Sequence, residues 1–232
     1  MPDKHLSRKF DVDLNLLSGR LLEMGGLVEA QIALAMEAMR TFDLPLVEQV
    51  LAGERRLNAM EIEIDEEVGN IIARRQPAAR DLRLLMAASR CITNLERAGD
   101  EAWKIAKCAR RIASQSSAQS INIAEITVSG EMALQILRRA LDAFARMDTV
   151  AAAQIIKDDE AIDNAFRTFV RKLVTYMTED PRTISTGLDY LSIAKAIERI
   201  GDHATNIAES VVYVVSGTDV RHVPRHHADG EA

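Results

Sequence analysis

One segment of this chain occurs twice, and no other feature of the sequence constrains the fold as strongly. Residues 96–107 read Glu-Arg-Ala-Gly-Asp-Glu-Ala-Trp-Lys-Ile-Ala-Lys, and residues 198–209 read Glu-Arg-Ile-Gly-Asp-His-Ala-Thr-Asn-Ile-Ala-Glu, so seven of twelve positions are identical. Chance agreement at average residue usage is about one position in fifteen. The repeat therefore predicts two copies of one structural unit.

The repeat extends to the preceding helix of each unit. Ile64-Asp65 in the first unit matches Ile162-Asp163 in the second. Asp65 lies 22 residues after a break at Asp43, whereas Asp163 lies 15 residues after a break at Asp148. The difference of seven residues is about two helical turns, which leaves the buried face in register. The two units are expected to contain the same helices at different lengths.

The composition and the positions of proline favour an all-α fold. Aromatic residues make up 4% of the chain, and a hydrophobic fraction of 47% is dominated by Ala, Leu, Ile and Val, a balance that favours helix over strand. Pro45, Pro77 and Pro181 stand at expected helix starts, where the missing amide donor costs little. The three prolines, together with further breaks at residues 114–120 and at Asp148, separate six predicted helices: 11–41, 44–75, 78–113, 121–147, 149–178 and 182–216. We therefore predict two pseudo-symmetric three-helix bundles, residues 1–117 and 118–217, followed by a disordered tail at 218–232.

Charge and cysteine usage exclude several classes of protein. A net charge of −6 argues against nucleic acid and anionic lipid as main partners, because both select basic surfaces. No apolar run approaches the ~18–20 residues that span a bilayer, so a cytoplasmic protein is expected. Cys91 and Cys108 would lie ~25 Å apart on one helix, too far to form a disulfide, and are expected to be buried thiols.

The third helix of each unit carries an apolar seam with steps of three and four residues. The first seam is Leu85, Ala88, Ile92, Leu95, Gly99, Ala102, Ala106 and Ala109; the second is Tyr190, Ala194, Ile197, Gly201, Ala204, Ala208 and Val211. This spacing is typical of a helical bundle. Gly99 and Gly201 lie on the seams, where the absence of a side chain lets a neighbouring helix approach closely.

Pairs of carboxylates four residues apart accompany these seams. They are Glu96 with Asp100 and Glu198 with Asp202 on the third helices, and Glu61 with Asp65 and Asp159 with Asp163 on the second helices. A spacing of four puts both members of a pair on one helix face. Four carboxylates facing across two helices need bound cations or raised pKa values. All-oxygen ligands suit magnesium, calcium, manganese or oxidised iron, with zinc also open.

The alternative interpretation of each pair is a solvated helix face, with Arg97 and Arg199 as ordinary surface ion-pair partners. The occurrence of the pattern on two helices in both units favours metal ions. His203 and Asn206 are candidates for supporting groups, but Glu101 and Lys104 replace them in the first unit. Trp103 is interpreted as a packing residue. Arginines surround the turn at Pro77, either as a solvated turn or as a docking site for an acidic partner: Arg74, Arg75, Arg80 and Arg83.

At these residues the sequence resembles the PhoU family of phosphate-transport regulators. The repeated Glu-Arg-x-Gly-Asp segments at 96–100 and 198–202, and the segment at 74–83 that enters the third helix, match the family signature. The resemblance implies clusters of iron, zinc or other divalent metals such as magnesium or manganese, and residue by residue it gives the ligands as Glu61, Asp65, Glu96, Asp100, Asp159, Asp163, Glu198 and Asp202. Lys104 and Lys107 depart from the signature, so the two sites need not bind equal numbers of metal ions.

The resemblance also implies a regulator and not an enzyme. By this resemblance the chain is expected to be a cytoplasmic adaptor that links the ATPase subunit of the phosphate ABC transporter to a membrane sensor histidine kinase. Such an adaptor would repress the phosphate-starvation response and phosphate uptake. A homodimer is expected, with membrane contact only through partners. The alternatives are a di-metal carboxylate enzyme and a metal-storage scaffold. Di-iron enzymes of the ferritin type use Glu-x-x-His motifs, and the absence of such a pair on a seam favours the regulator.

Overall fold

The computed structural model describes residues 8–115 and 121–219 and contains six α-helices. They are α1 (Arg8–Thr41), α2 (Leu44–Arg75), α3 (Ala79–Ala113), α4 (Ala124–Arg146), α5 (Thr149–Glu179) and α6 (Ile184–Ser216), with a 3₁₀ turn at Pro181–Thr183 before α6. The predicted all-α fold is confirmed, and α2 has the predicted bounds. The largest differences lie at the starts of α1 and α4, which begin at Arg8 and Ala124 and not at residues 11 and 121.

The helix ends follow from local chemistry. Pro45 lies in the first turn of α2, and the Asp148 carboxylate accepts hydrogen bonds from the amides of Val150 and Ala151 at the start of α5, both at 3.0 Å. Such side-chain oxygens satisfy amides that have no partner within the helix. α6 ends at Gly217 with a φ of 77°, a left-handed conformation that glycine adopts without strain.

The six helices form two antiparallel three-helix bundles, α1–α3 and α4–α6. Each helix packs against the other two of its bundle, and α3 packs along α6 to join the bundles. α3 and α6 are antiparallel, because Arg83 near the start of α3 donates to the Val214 carbonyl (3.4 Å) near the end of α6, and Arg111 near the end of α3 pairs with Asp189 (2.5 Å) near the start of α6. This pairing brings the repeated segments of the two helices side by side.

The contact between α1 and α4 shows the pseudo-twofold relation directly. A Cβ built on Gly25 of α1 would lie 2.6 Å from a Leu141 methyl carbon of α4, and a Cβ built on Gly130 of α4 would meet the Met36 side chain of α1. A glycine of each helix thus accommodates a large side chain of the other. Close approach here depends on the missing side chain at both glycines.

The predicted seams form the core. Every seam residue of α3 and α6 named above is buried. Cys91 and Cys108 are free and buried, as expected. No helix among residues 8–115 and 121–219 is long and apolar enough to cross a membrane. The predicted boundary at residues 117 and 118 and the predicted disordered tail from residue 220 onward lie outside the described residues.

Candidate functional site

In the second bundle, the four predicted carboxylates converge between α5 and α6. Burial, together with the negative charges of Glu198, Asp159 and Asp163, raises the pKa of Asp202 to about 6, and Lys195 opposes the shift. These contributions place Glu198, Asp159 and Asp163 in the neighbourhood of the Asp202 carboxylate. Asp159 is only 1% exposed, so this cluster extends from the surface into the core of the bundle.

Gly201 makes room for this cluster. A Cβ built on Gly201 would lie 2.5 Å from Asp159 Oδ1 and 3.1 Å from a methyl carbon of Ile162. Any side chain in place of Gly201 would therefore displace the Asp159 carboxylate. The glycine of the repeated segment thus positions a charged group and does more than let two helices approach.

Two cations stand at the rim of the second cluster. Lys195 Nζ contacts both carboxylate oxygens of Glu198 at 2.6 Å and also lies over the Phe166 ring, 5.4 Å from its centroid. Arg167 lies 3.8 Å from Asp163. Both cations are about half exposed, where ion pairs stabilise little. They offset part of the negative charge of the second cluster.

In the first bundle the carboxylates are staggered. Burial raises the pKa of Glu96, and the charges of Asp100, Glu61 and Glu54 add to that effect, while Arg97 opposes it. Burial likewise raises the pKa of Glu61, with contributions from Asp65 and Asp100. Glu61, Glu96 and Asp100 therefore form a cluster, and the charge of Glu54 also acts on Glu96.

Asp65 turns away from the third-helix pair of the first bundle. Its Oδ1 accepts a hydrogen bond of 2.7 Å from the Ser89 hydroxyl. Ser89 precedes Glu96 by seven residues, which is about 10 Å along a helix. Asp65 thus lies level with Ser89, about two turns from the position that its counterpart Asp163 takes in the second bundle.

The helical hairpins explain this stagger. Asp163 lies sixteen residues before the end of α5 and Glu198 fourteen residues after the start of α6, so the two face each other. Asp65 lies only ten residues before the end of α2, whereas Glu96 lies seventeen after the start of α3. In an antiparallel hairpin, residues at equal distances from the turn are neighbours. Leu57 accordingly occupies the place opposite Gly99 that Asp159 takes opposite Gly201.

Neither cluster has a closed ligand set. Among residues 8–115 and 121–219, no three His, Cys, Asp or Glu side chains are arranged to hold a metal ion. The second bundle nevertheless has the donor set that hard cations prefer, four carboxylates in mutual repulsion. The first bundle has three such groups together, with Asp65 held by Ser89.

Asp100 and Asp202 also open into one shared cleft between the bundles. The cleft has a volume of about 510 Å³ and is lined by four pseudo-equivalent pairs: Arg97 and Arg199, Asp100 and Asp202, Glu101 and His203, and Lys104 and Asn206. Buried Glu101 accepts from Lys104 at 2.8 Å and from Arg199 at 3.3 Å. The structural role of Glu101 was not predicted from the sequence, although its place beside Asp100 in the repeated segment was a usable signal.

His203 and Asn206 act together across the bundle interface. His203 Nδ1 lies 3.1 Å from Asn94 Oδ1, which also accepts from Asn206 Nδ2 at 3.0 Å. Burial lowers the pKa of His203 to about 4, so the imidazole is neutral near pH 7 and Nδ1–H donates to Asn94. These residues therefore tie α6 to α3. Sequence reasoning gave no signal for Asn94.

The remaining candidates have structural roles. Lys107 Nζ lies 4.5 Å from the centroid of the Trp103 ring. Arg75 pairs with Asp13 of α1 at 2.8 Å, and Arg83 reaches the end of α6. The three tail histidines at 222, 226 and 227 lie outside the described residues.

Comparison with known proteins places the fold and the repeat in context. A family model described as the PhoU domain matches residues 21–109 and again residues 126–211. The phosphate-specific transport system accessory protein PhoU homolog of a Burkholderia species is 54% identical, over 100% of this chain and 99% of its own length. The corresponding protein of Escherichia coli K12 is 42% identical, over 95% of this chain and 91% of its own.

Two crystal structures have the same architecture. That of PhoU from Pseudomonas aeruginosa superposes with a TM-score of 0.86 at 43% identity, covering 90% of this chain and 100% of the other. The phosphate transport system regulatory protein PhoU from Streptococcus pneumoniae superposes with a TM-score of 0.85 at 26% identity, covering 91% and 99%.

Proposed function

This chain belongs to the PhoU family, and from that membership we propose that it is a negative regulator of the phosphate-starvation response and of phosphate uptake. The relatives are accessory proteins of a phosphate-specific transport system, matched over nearly their whole length. The protein acts by binding and not by turnover. The alternative of a di-metal enzyme loses its support, since the relatives are named as accessory proteins.

The regulator works in the cytoplasm as an adaptor. It associates with the phosphate-specific transport system through the ATPase subunit of the transporter, and it passes the state of the transporter to a sensor histidine kinase. A rigid helical scaffold suits this role, because α3 and α6 join the two bundles along their length and keep their outer faces in fixed positions. The homodimer implied by the resemblance is part of this proposal and not of the fold described above.

Metal ions bind at the carboxylate cluster of the second bundle. Asp159, Asp163, Glu198 and Asp202 would hold an iron, zinc, magnesium or manganese ion, which would add positive charge beside these carboxylates. This part rests on the Asp159 carboxylate, which is 1% exposed and lies against Gly201 next to Asp202, and it is supported by the pKa of Asp202, which burial and the other three carboxylates raise to about 6. Bound metal would lower that repulsion and hold α5 against α6.

The first bundle would bind metal less tightly. Glu61, Glu96 and Asp100 lie together, and Asp65 can join them only after it gives up the hydrogen bond from Ser89. Glu54 is near enough to contribute its charge. The eight ligands implied by the resemblance are thus proposed for both bundles, with the second as the stronger site.

Deletion of the gene tests the regulatory role. In medium with ample phosphate, cells that lack the protein are expected to express phosphate-uptake and phosphatase genes, and the wild-type gene restores repression. A plasmid that carries the Asp159→Ala/Asp202→Ala variant shows whether repression needs the second cluster, with Asp158→Ala as a matched control. Unchanged repression in the deletion strain would contradict the regulator.

A further inference from the structure

The core of the first bundle contains a glutamine side chain whose amide is buried and unpaired. Gln31 of α1 is 2% exposed, and neither its Nε2 nor its Oε1 forms a hydrogen bond with any residue that the structure describes. Buried polar groups are normally paired, because an unpaired one loses its bonds to water without compensation. The amide of Gln31 therefore lowers the stability of the fold unless something binds to it.

Two glycines from different helices make room for this amide. A Cβ built on Gly53 of α2 would collide with Gln31 Nε2, and a Cβ built on Gly99 of α3 would lie 3.9 Å from Gln31 Oε1. The missing side chains let the amide reach from α1 to the backbones of both other helices of the bundle. The amide oxygen thus lies beside the seam glycine of α3.

Two carboxylates of the first cluster stand next to that glycine. Gly99 directly precedes Asp100 and follows Glu96 by three residues. At 3.6 residues per turn, Glu96 and Asp100 leave α3 about 60° and about 100° around the helix from Gly99, both in the same direction. Both side chains are partly exposed, whereas Gln31 is buried. The amide oxygen of Gln31 therefore lies on the inner side of the carboxylate cluster, toward the core.

The second bundle has a buried side-chain oxygen at the same point, but that oxygen comes from a different helix. A Cβ built on Gly201, the counterpart of Gly99, would lie 2.5 Å from Asp159 Oδ1 of α5. In the first bundle the corresponding helix, α2, presents the apolar Leu57 to Gly99, and the oxygen comes from Gln31 of α1. Each seam glycine is thus accompanied by a buried side-chain oxygen.

The first helices of the two bundles show the reverse exchange. In the pseudo-twofold contact between α1 and α4, the two glycines, and the two large side chains that they accommodate, are each 105 residues apart. The counterpart of Gln31 in α4 is therefore Ile136, which is buried and apolar. The polar side chain at the seam glycine has moved from the second helix of one bundle to the first helix of the other.

We propose that the amide oxygen of Gln31 is a neutral ligand of the metal ion in the first bundle, in the role that the Asp159 carboxylate has in the second. Amide oxygens bind the same hard cations as carboxylates do, and a bound ion satisfies an oxygen that no described residue satisfies. The inference rests on the proposed metal binding of the first bundle. It adds α1 to the helices that an ion joins, and a neutral ligand agrees with the weaker of the two proposed sites.

Two variants of Gln31 are expected to shift metal affinity in opposite directions. Calorimetric titrations with Mn²⁺ use the full-length protein that carries Asp202→Ala, so that binding in the first bundle dominates. Gln31→Met keeps the length of the side chain, removes both polar atoms and should weaken Mn²⁺ binding about 10-fold or more, at least the effect of losing a supporting group. Gln31→Glu places a carboxylate at the same point and should strengthen binding about 10-fold, because ligand charge tunes the affinity of such sites.

Stability without metal is expected to change in the opposite sense. Gln31→Met removes an unpaired buried amide and should raise the Tm of the metal-free protein by about 2 °C or more, whereas Gln31→Glu buries a charge and should lower it. Thr205→Val is the matched control, since Thr205 Oγ1 of α6 is also buried without a partner among the described residues. It should raise the Tm in the same way and leave the Mn²⁺ affinity of the first bundle unchanged.

The outcomes separate this inference from the proposed metal binding. If the Asp202→Ala protein binds no Mn²⁺, the first-bundle site of the proposed function fails, and the role of Gln31 fails with it. If that protein binds Mn²⁺ and both Gln31 variants bind it equally well, the metal site stands and Gln31 is not a ligand. Weaker binding in both variants would show that the glutamine serves packing alone and would also overturn the proposal. Circular dichroism establishes that the variants keep their helix content.

Discussion

The two carboxylate clusters are built from matching residues, yet they differ in geometry. In the second bundle, the charges of all three other carboxylates raise the pKa of Asp202. In the first bundle, Asp65 accepts a hydrogen bond from Ser89 and does not contribute to the raised pKa of Asp100. The hairpin of the second bundle brings its pairs level, and that of the first leaves them about two turns apart. Duplication of residue types therefore does not ensure duplication of a site.

The neighbour of the seam glycine shows the same difference. Gly201 faces the buried Asp159, and Gly99 faces the buried Leu57. A carboxylate has replaced an apolar side chain at this level in only one bundle. The second cluster therefore reaches deeper into its bundle, where electrostatic interactions are stronger because water is excluded.

The largest effect on stability is expected for Leu57→Asp. This change gives the first bundle a buried carboxylate at the position that corresponds to Asp159 in the second bundle. Without metal, the free energy of unfolding should fall by about 4 kcal/mol, since an apolar side chain is lost and a charge is buried. Added metal should recover part of this loss, because the new group lies opposite Gly99. Chemical denaturation with and without metal measures both effects. Leu95→Asp, a control at another buried position, should show no recovery; equal recovery would contradict the geometric comparison.

Removal of one carboxylate from each cluster tests their ranking as metal sites. Asp202→Ala should weaken metal binding in the second bundle about 100-fold or more, because ligand loss exceeds the 10–100-fold effect typical of supporting groups. Asp100→Ala should affect only the weaker site. Calorimetric titration gives both affinities, and circular dichroism should show normal helix content. If Asp100→Ala removes the tighter site, the proposed order of the two sites is wrong.

Carboxylates with raised pKa values in both bundles make the stability of the metal-free protein depend on pH, and the Asp202→Asn variant isolates the contribution of the second cluster. The pKa of Asp202 is raised from its usual 3.8 to about 6, so the folded state binds the proton more tightly than the unfolded state. Stability should therefore fall as pH rises from about 4 to about 6 and stay lower above that range. Asp202→Asn should stabilise the metal-free protein at pH 7 by about 1 kcal/mol after allowance for solvent screening. Thermal melts across this range measure it; a flat profile for the wild type would contradict the raised pKa.

The smallest effect concerns the hydrogen bond that holds Asp65. Ser89→Ala should lower the free energy of unfolding by only about 0.5 kcal/mol, since the bond is exposed. The same change releases Asp65 and should raise metal affinity in the first bundle. Ser192→Ala is the control, because its hydroxyl bonds only a carbonyl of its own helix. Lower metal affinity in Ser89→Ala would show that Ser89 supports the site and does not compete with it.

Helix positions were predictable wherever a local signal marks the end. α2 matched its predicted bounds because Pro45 and Pro77 frame it, and α5 began as predicted at Thr149, where Asp148 caps its amides. The start of α6 was placed two residues early, since Pro181 opens a 3₁₀ turn and not the α-helix itself. A proline is compatible with the first turn of either helix type, so the sequence does not separate them.

The supporting groups of the site were harder to predict. Glu54 is one of many carboxylates on α2, and its effect on Glu96 depends on how α2 lies against α3. Asn94 receives hydrogen bonds from His203 and Asn206, which lie more than a hundred residues further along the chain. No periodicity within one helix reports such a contact.

The sequence by itself determined the helical fold, the duplication, the buried seams and the helix faces that carry the carboxylates. It could do so because helical periodicity is local: at 3.6 residues per turn, spacing alone assigns a residue to a face. Only the tertiary structure decided which carboxylates meet. Their level along neighbouring helices depends on helix length and on the turn between helices, so one bundle gathers four charges while the other leaves Asp65 bound to Ser89.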